Sequence, residues 1–187
     1  MTRMNIFYLN KQHVACAQQH NDKHCVKMIL EYCQLLSTAH RVIDGENFTG
    51  RTATGRRVKR WRLDDEQRED LLYKATHVNH PSAVWVRENQ ANYIWLAKML
   101  DALSTEYTTR YGKVHKCERI GLISSLQSAP KNTREGVFTE PTPAMPTERI
   151  IKGDSIASYR AYYHIEKAHL ASWKARVAPD WFVGNVI

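Results

Sequence analysis

Apolar residues repeat with a helical period over most of this chain and lose it in two stretches. From Val14 to Val42 the spacing is helical, with a break expected at Asn21-Asp22, where an Asn or Asp side chain can accept a bond from an orphan helix N–H. The piece after the break is long and amphipathic. Asp64-Asp65 puts two acids at the positive end of a helix expected to run to about Thr76. His80-Pro81 opens another, because proline at the first helical position loses no hydrogen bond. Between Gln90 and Tyr111, residues Tyr93, Leu96, Leu100 and Leu103 recur at helical spacing. Further helices are expected over 114–126 and over DSIASYRAYYHIEKAHLASWKAR, residues 154–176. At the start, NIFYL reads as either a short strand or an extended arm docked on the core.

The first stretch without helical period, DGENFTGRTATGRRVKRWRLDD, is rich in Gly and Thr and reads as a loop or hairpin carrying much of the positive charge. The second, 128–153, holds Pro130, Pro141, Pro143 and Pro146 and reads as a long ordered loop or a lid. No internal repeat interrupts this order. The expected fold is therefore mainly α: residues 1–187 as a single compact helical domain with a basic loop or hairpin and a long proline-rich loop.

Composition narrows the partners. No run approaches the roughly 18 to 20 apolar residues of a membrane span, and the opening residues are too polar for the core of a signal peptide. A cytoplasmic protein making no membrane contact is expected, most simply a monomer. Cys16, Cys25, Cys33 and Cys117 lack the dense spacing of a disulfide scaffold and read as reduced thiols. Lys and Arg outnumber Asp and Glu by 27 to 19, a formal charge of +8, which makes an anionic partner plausible and nucleic acid the leading one.

On a helical wheel His20, His24, Lys27, Glu31, Gln34 and Thr38 fall in one narrow sector. Such a stripe is commonly just a solvated face. Its make-up suggests more: a His, a Lys and a Glu within two turns can hold one another in chosen protonation states, which acid–base chemistry requires. A metal reading competes, since Cys16, His20 and His24 are spaced i, i+4, i+8 and His115 with Cys117 could complete a tetrahedral set. That row needs an unbroken helix through Asn21-Asp22, so no metal and no cofactor is expected.

With these residues in view, the chain resembles the phage pyrimidine-dimer DNA glycosylases of the endonuclease V type. Those enzymes also begin Met-Thr-Arg, an apolar residue, then Asn, as MTRMN does here. Asp22, His24 and Glu31 reproduce the order and spacing of the Asp, His and Glu on their catalytic helix. Broader relatives carry Lys-x-x-x-Glu-x-x-Gln, which Lys27, Glu31 and Gln34 match. The run from His80 to Trp85 and the aromatic, lysine-rich stretch from Tyr159 to Trp181 are similar to later parts of those enzymes. Arginines that flank the catalytic Glu in the dimer-specific enzymes are replaced by Leu30 and Gln34, which points to another damaged or modified base.

The resemblance implies a DNA glycosylase with AP-lyase activity. Loss of Met1 would leave a Thr2 α-amine, whose reference pKa of about 7.7–8.0 makes it partly nucleophilic near neutral pH, whereas a lysine starts about two units higher. In the family this amine attacks the sugar C1′ and forms a Schiff base, while the helix Glu stabilises the sugar cation. Glu31 would take that role, His24 would position sugar or phosphate, and Arg3 would hold a backbone phosphate. If Met4 were the natural start there would be no Thr2 amine, and Lys27 would be the candidate nucleophile.

Double-stranded DNA bearing a damaged or modified base is the expected partner. Arg56, Arg57, Lys59, Arg60 and Trp61 combine phosphate-binding charge with an indole able to fill a gap in a base stack. Gln34 would join them from the helix. Arg160, Lys167 and Lys174 share one face of the expected last helix and could track a backbone, though Tyr159, Tyr162 and Tyr163 have core spacing, and Trp85 and Trp95 are expected in the core. His80 either caps its helix or, with Asn79, faces a phosphate. Two other readings remain open: a phage enzyme acting on hypermodified bases or nucleotides without strand cleavage, and a DNA-binding protein without chemistry.

Overall fold

A computed structural model of the chain describes residues 4–184. Two long helices carry the core: α2 (Asp22–Asp44) and α5 (Gln90–Tyr111) pack on each other, with α1 (His13–Gln19) against α5 and α4 (Pro81–Glu88) against both. Met28, Ile29, Tyr32, Leu35 and Leu36 of α2 and Tyr93, Leu96, Leu100 and Leu103 of α5 are buried. Burial at about 25 cal/mol per Å² of apolar surface makes this seam the main source of stability. Among the described residues there are eight α-helices and one two-stranded sheet, a single mainly α domain. None of those helices is long and apolar enough to cross a membrane.

The break before α2 is where the capping residue falls. Asn21 Oδ1 accepts the His24 backbone N–H at 2.9 Å and starts the helix. Gly45 ends it by close approach, since a Cβ there would lie 2.4 Å from the Arg41 carbonyl oxygen. The opening residues form an arm and no strand: Met4 to Leu9 are buried with side chains serving their backbone. The Phe7 N–H donates to Tyr32 Oη at 3.2 Å, Cys16 Sγ donates to the Phe7 carbonyl at 3.3 Å, and Arg160 Nε donates to the Leu9 carbonyl at 3.0 Å.

The basic stretch is a hairpin, β1 (Glu46–Arg51) antiparallel to β2 (Arg57–Arg62), pairing Glu46 with Arg62 through to Arg51 with Arg57. Its root is held by Arg41, 1% exposed, which donates to the carbonyls of Trp61, Glu69, Leu72 and Tyr73 and pairs with the Glu69 carboxylate. A buried guanidinium is tolerable when its donors are satisfied in this way.

Three helix expectations need correction. The helix after Asp65 is only α3 (Glu66–Leu71), because the backbone beyond it is taken by Arg41. The span 114–126 is two single turns, α6 (Lys116–Arg119) and α7 (Leu122–Ser125), parted at Gly121, whose φ of +77° no helix continues. The last helix, α8 (Ser155–Glu166), stops ten residues early, and a 3₁₀ turn, Ala168–Leu170, follows. There the Asp22 carboxylate accepts from the Lys174 N–H and Ser172 Oγ and pulls the chain onto the start of α2.

The proline-rich segment is an ordered strap bonded to the body of the protein. Asp44 accepts the N–H groups of Lys131 and Asn132, Asn92 Oδ1 accepts the Thr139 N–H at 2.9 Å, Trp85 Nε1 donates to the Thr139 carbonyl, and Ser155 Oγ donates to the Pro141 carbonyl. It is thus tied to α2, α4, α5 and α8.

Candidate functional site

The polar stripe of α2 is largely buried, which overturns the reading of a solvated face. His24 and Glu31 are each 6% exposed and Thr38 is fully buried. Solvent instead meets Lys23, Val26, Lys27 and Leu30. His20 is not on this helix at all; it lies in the turn between α1 and α2. Its Nδ1 donates to the Cys16 carbonyl at 2.8 Å and its Nε2 accepts from Tyr32 Oη at 2.9 Å, and burial pushes its pKa down to about 4.

Glu31 and Lys27, one turn apart, form an ion pair of 2.8 Å between Lys27 Nζ and Glu31 Oε1. The lysine side chain is 47% exposed and the glutamate's 8%, so the pair runs from solvent into the protein. Glu31 Oε2 is buried with no hydrogen-bond partner among the described residues. A buried carboxylate oxygen left unpaired is costly and calls for a water, an ion or a ligand as its partner.

About two turns before Glu31, His24 is stacked on the Phe7 ring, with centroids 4.1 Å apart and planes 19° from parallel. Its Nδ1 lies 2.7 Å from the Tyr163 hydroxyl. Burial holds its pKa well below the usual histidine value, and the charges of Lys167, Lys27 and Lys23 add to that. His24 is therefore a neutral ring in a cationic setting. Residues from the arm, α2 and α8 meet here.

The remaining candidates separate into those that join this face and those that do not. Thr2 and Arg3 lie outside the described residues. Gln34 sits half-buried one turn beyond Glu31. Arg56, Arg57, Lys59, Arg60 and Trp61 are all on the hairpin or its tip, with Lys59 Nζ 5.4 Å from the Trp61 ring centroid. His80 caps α4, its Nδ1 accepting the Ser82 N–H at 3.2 Å. Asn79 does not join it: Asn79 lines a cavity beside the hairpin, whereas His80 lines another with Pro143 and Met145.

The basic row on the last helix does not exist as expected, because α8 ends first. Arg160 is on α8 but packs inward, bonded to Leu9 and lying 5.2 Å from the Trp181 ring centroid. Lys167 and Lys174 follow the helix and sit near Tyr162 and Tyr111. Tyr159, Tyr162, Tyr163, Trp85 and Trp95 are buried as expected.

Among the described residues no group of three His, Cys, Asp or Glu side chains is placed to hold a metal ion. Donors of the metal reading have other partners: Cys16 bonds Phe7, His20 uses both ring nitrogens, and His115 Nδ1 accepts the Cys117 N–H. Asp22 is likewise structural, its carboxylate shared by Arg110, Ser172 and Lys174.

Phe7 and Tyr163 are the site residues that sequence reasoning missed as such. Tyr163 has core spacing and Phe7 belongs to the strand or arm reading of the opening residues, and nothing local marks an aromatic whose hydroxyl or face will meet a histidine from another element. Lys23 was missed for a different reason, since it falls one position outside the polar sector. Compared with models of protein families, with curated proteins and with solved structures, the chain gives no significant match, so the family expectation rests on the residues quoted from its sequence.

Proposed function

We propose that this protein is a DNA glycosylase with AP-lyase activity that acts on a damaged or modified base. The observation that carries the reading is Glu31: a buried carboxylate with one oxygen on Lys27 and the other without a hydrogen-bond partner among the described residues, near a neutral His24. A carboxylate so placed stabilises a sugar cation far better than one in water, because the low dielectric strengthens the attraction. Lys23, Lys27 and Lys167 supply a cationic rim suited to phosphates, and the hairpin adds a second basic surface.

In this reading the amine lone pair bonds to C1′ while the bond from C1′ to the base breaks and its electron pair leaves with the base, which takes up a proton. Opening of the sugar ring at O4′ gives the Schiff base. Loss of a C2′ proton then expels the 3′ phosphate. Thr2 is the proposed source of the amine and Glu31 the group that stabilises the cation and moves the protons, with His24 holding sugar or phosphate.

Borohydride reduction tests this directly. The protein should be trapped covalently on DNA carrying an abasic site, and a few extra residues at the N-terminus should abolish trapping while sparing affinity. Glu31→Gln keeps the shape and removes the charge, and should cut base release by about 10²- to 10³-fold. Trapping that survives a blocked terminus but vanishes in Lys27→Ala would move the nucleophile to α2. No trapping on any abasic or modified DNA would overturn the lyase reading.

A further inference from the structure

Seven residues beyond Glu31 on the same face of α2, about 10 Å along the helix axis, Thr38 fixes one wall of a second site. Its Oγ1 donates to the Thr76 carbonyl at 3.3 Å and accepts the Thr76 N–H at 3.2 Å. That ties the segment 75–79 to α2, and between it and β2 opens a cleft of about 530 Å³. Arg56, Lys59, Arg60 and Trp61 line one side, His77 and Asn79 the other, with no carboxylate among the lining residues.

Two other cavities of similar kind carry acids: Glu69 behind the hairpin, and Asp101 with Glu106 beside α5. The one beneath the proline-rich strap has no lysine or arginine. The cleft therefore joins cations and an indole without a neutralising acid. Lys59, itself exposed, lies over the Trp61 ring at 5.4 Å, which marks a ring face covered only by a surface side chain that a flat group can displace.

The far wall is held in an uncommon shape. His77 has φ +49°, a left-handed conformation seldom adopted by a residue with a Cβ. It is kept there by a 2.8 Å contact between its Nδ1 and Thr76 Oγ1, and by the His80 N–H donating to its carbonyl at 2.8 Å. Backbone held this way in a cavity wall suits a site whose shape matters more than its comfort.

We propose that this cleft is a subsite for one nucleotide unit, its phosphate against Arg56, Lys59 and Arg60 and its base stacked on Trp61. The assignment rests on the reading of α2 as the face that meets DNA. At 3.4 Å per base step along a strand, the roughly 10 Å along α2 from Glu31 to Thr38 spans about three steps, and Glu31 is not among the residues lining the cleft, so the cleft grips a flanking nucleotide and not the reacting one. A free nucleotide offers the same phosphate and ring, and the test separates the two sources.

The full chain is titrated with a single-stranded oligothymidylate, an abasic chain of equal length, thymidine 5′-monophosphate and inorganic phosphate. Tryptophan fluorescence is read against Trp61→Phe, so that the difference isolates Trp61. The oligomer should quench Trp61 and bind more tightly than the mononucleotide, with the abasic chain weaker and phosphate silent. Trp61→Ala should weaken oligomer binding about 5- to 100-fold, Trp61→Phe should keep most of it, and Lys59→Ala with Arg60→Ala should lower the salt slope by one to two.

Equal binding of the abasic chain, or wild-type affinity in Trp61→Ala, would overturn the subsite. Tighter binding of the mononucleotide would overturn the strand as its source and assign the cleft to a free nucleotide. If the titrations behave as expected while no DNA is ever trapped or loses a base, the glycosylase reading fails and the cleft stands. Normal trapping with an indifferent Trp61→Ala would sink the cleft alone.

Discussion

Tyr163 and His24 lie 139 positions apart, and their side chains meet in a 2.7 Å hydrogen bond. Burial raises the phenol pKa well above its usual value and lowers that of the imidazole, so both partners are neutral. With both partners neutral, one of them supplies the proton: a hydroxyl donating to Nδ1 leaves the ring proton on Nε2, and a hydroxyl accepting from Nδ1–H leaves Nε2 as an acceptor. The contact thus couples the tautomer of His24 to the phenol of Tyr163.

Removing the phenol hydroxyl should release that choice. In Tyr163→Phe, nitrogen NMR should show His24 populating both neutral tautomers, and base release should fall about tenfold with DNA affinity unchanged. An unaltered His24 spectrum would show that the hydroxyl does not set the ring.

Arg41 should be the most costly single change away from the site. Arg41→Ala leaves the Glu69 carboxylate without its buried partner and strips four carbonyls of their donor, at a cost of about 3–5 kcal/mol in denaturant unfolding. Because Trp61 and Leu72 are among the residues released, hydrogen exchange should quicken first in β2 and α3. A loss under 1 kcal/mol would mean that the hairpin root is held by packing alone.

Stability should fall in mild acid. His20 and His40 have folded pKa values near 4, depressed chiefly by burial, with Arg110 adding at His20 and Arg68 at His40. His24 is depressed in the same direction. Between about 6.5, the unfolded value, and 4, the unfolded chain binds more protons, so the stability is fully present above the window and is lost as pH falls through it. His20 and His40 each account for roughly 3 kcal/mol at most. Unfolding at pH 7.5, 6 and 5 should show this slope, and His20→Gln should reduce it; a flat profile would mean the rings are protonated in place.

Reversing Arg57 and Arg60 to Glu should weaken DNA binding for all sequences alike and flatten its salt dependence, because phosphates and not base edges are the partners. Affinity measured at four salt concentrations checks this. An unchanged slope would remove the hairpin from the interface.

What could be read in the sequence was local. The cap at Asn21, the proline start at Pro81 and the whole of α5 follow from capping chemistry, fixed φ and helical period, all set within a few residues, while the glycine-rich spacing of the basic stretch narrowed it to a loop or a hairpin and the structure decided for the hairpin. Glu31, Lys27 and His24 could be grouped for the same reason, since one helix brings residues three, four and seven apart onto adjoining faces.

What the tertiary structure alone decided was burial and partnership. The helical wheel predicts that Glu31 and His24 share a face with Lys27, but not that Phe7 from the arm and Tyr163 from α8 close over His24, nor that Glu31 is buried while its lysine partner stays in solvent. The ends of α3 and α8 likewise depend on distant groups, Arg41 drawing off the carbonyls after Leu71 and Asp22 capturing the backbone at Lys174. A carbonyl or N–H with a strong partner elsewhere no longer needs its helical one, and such competition across long separations leaves no trace in the local pattern.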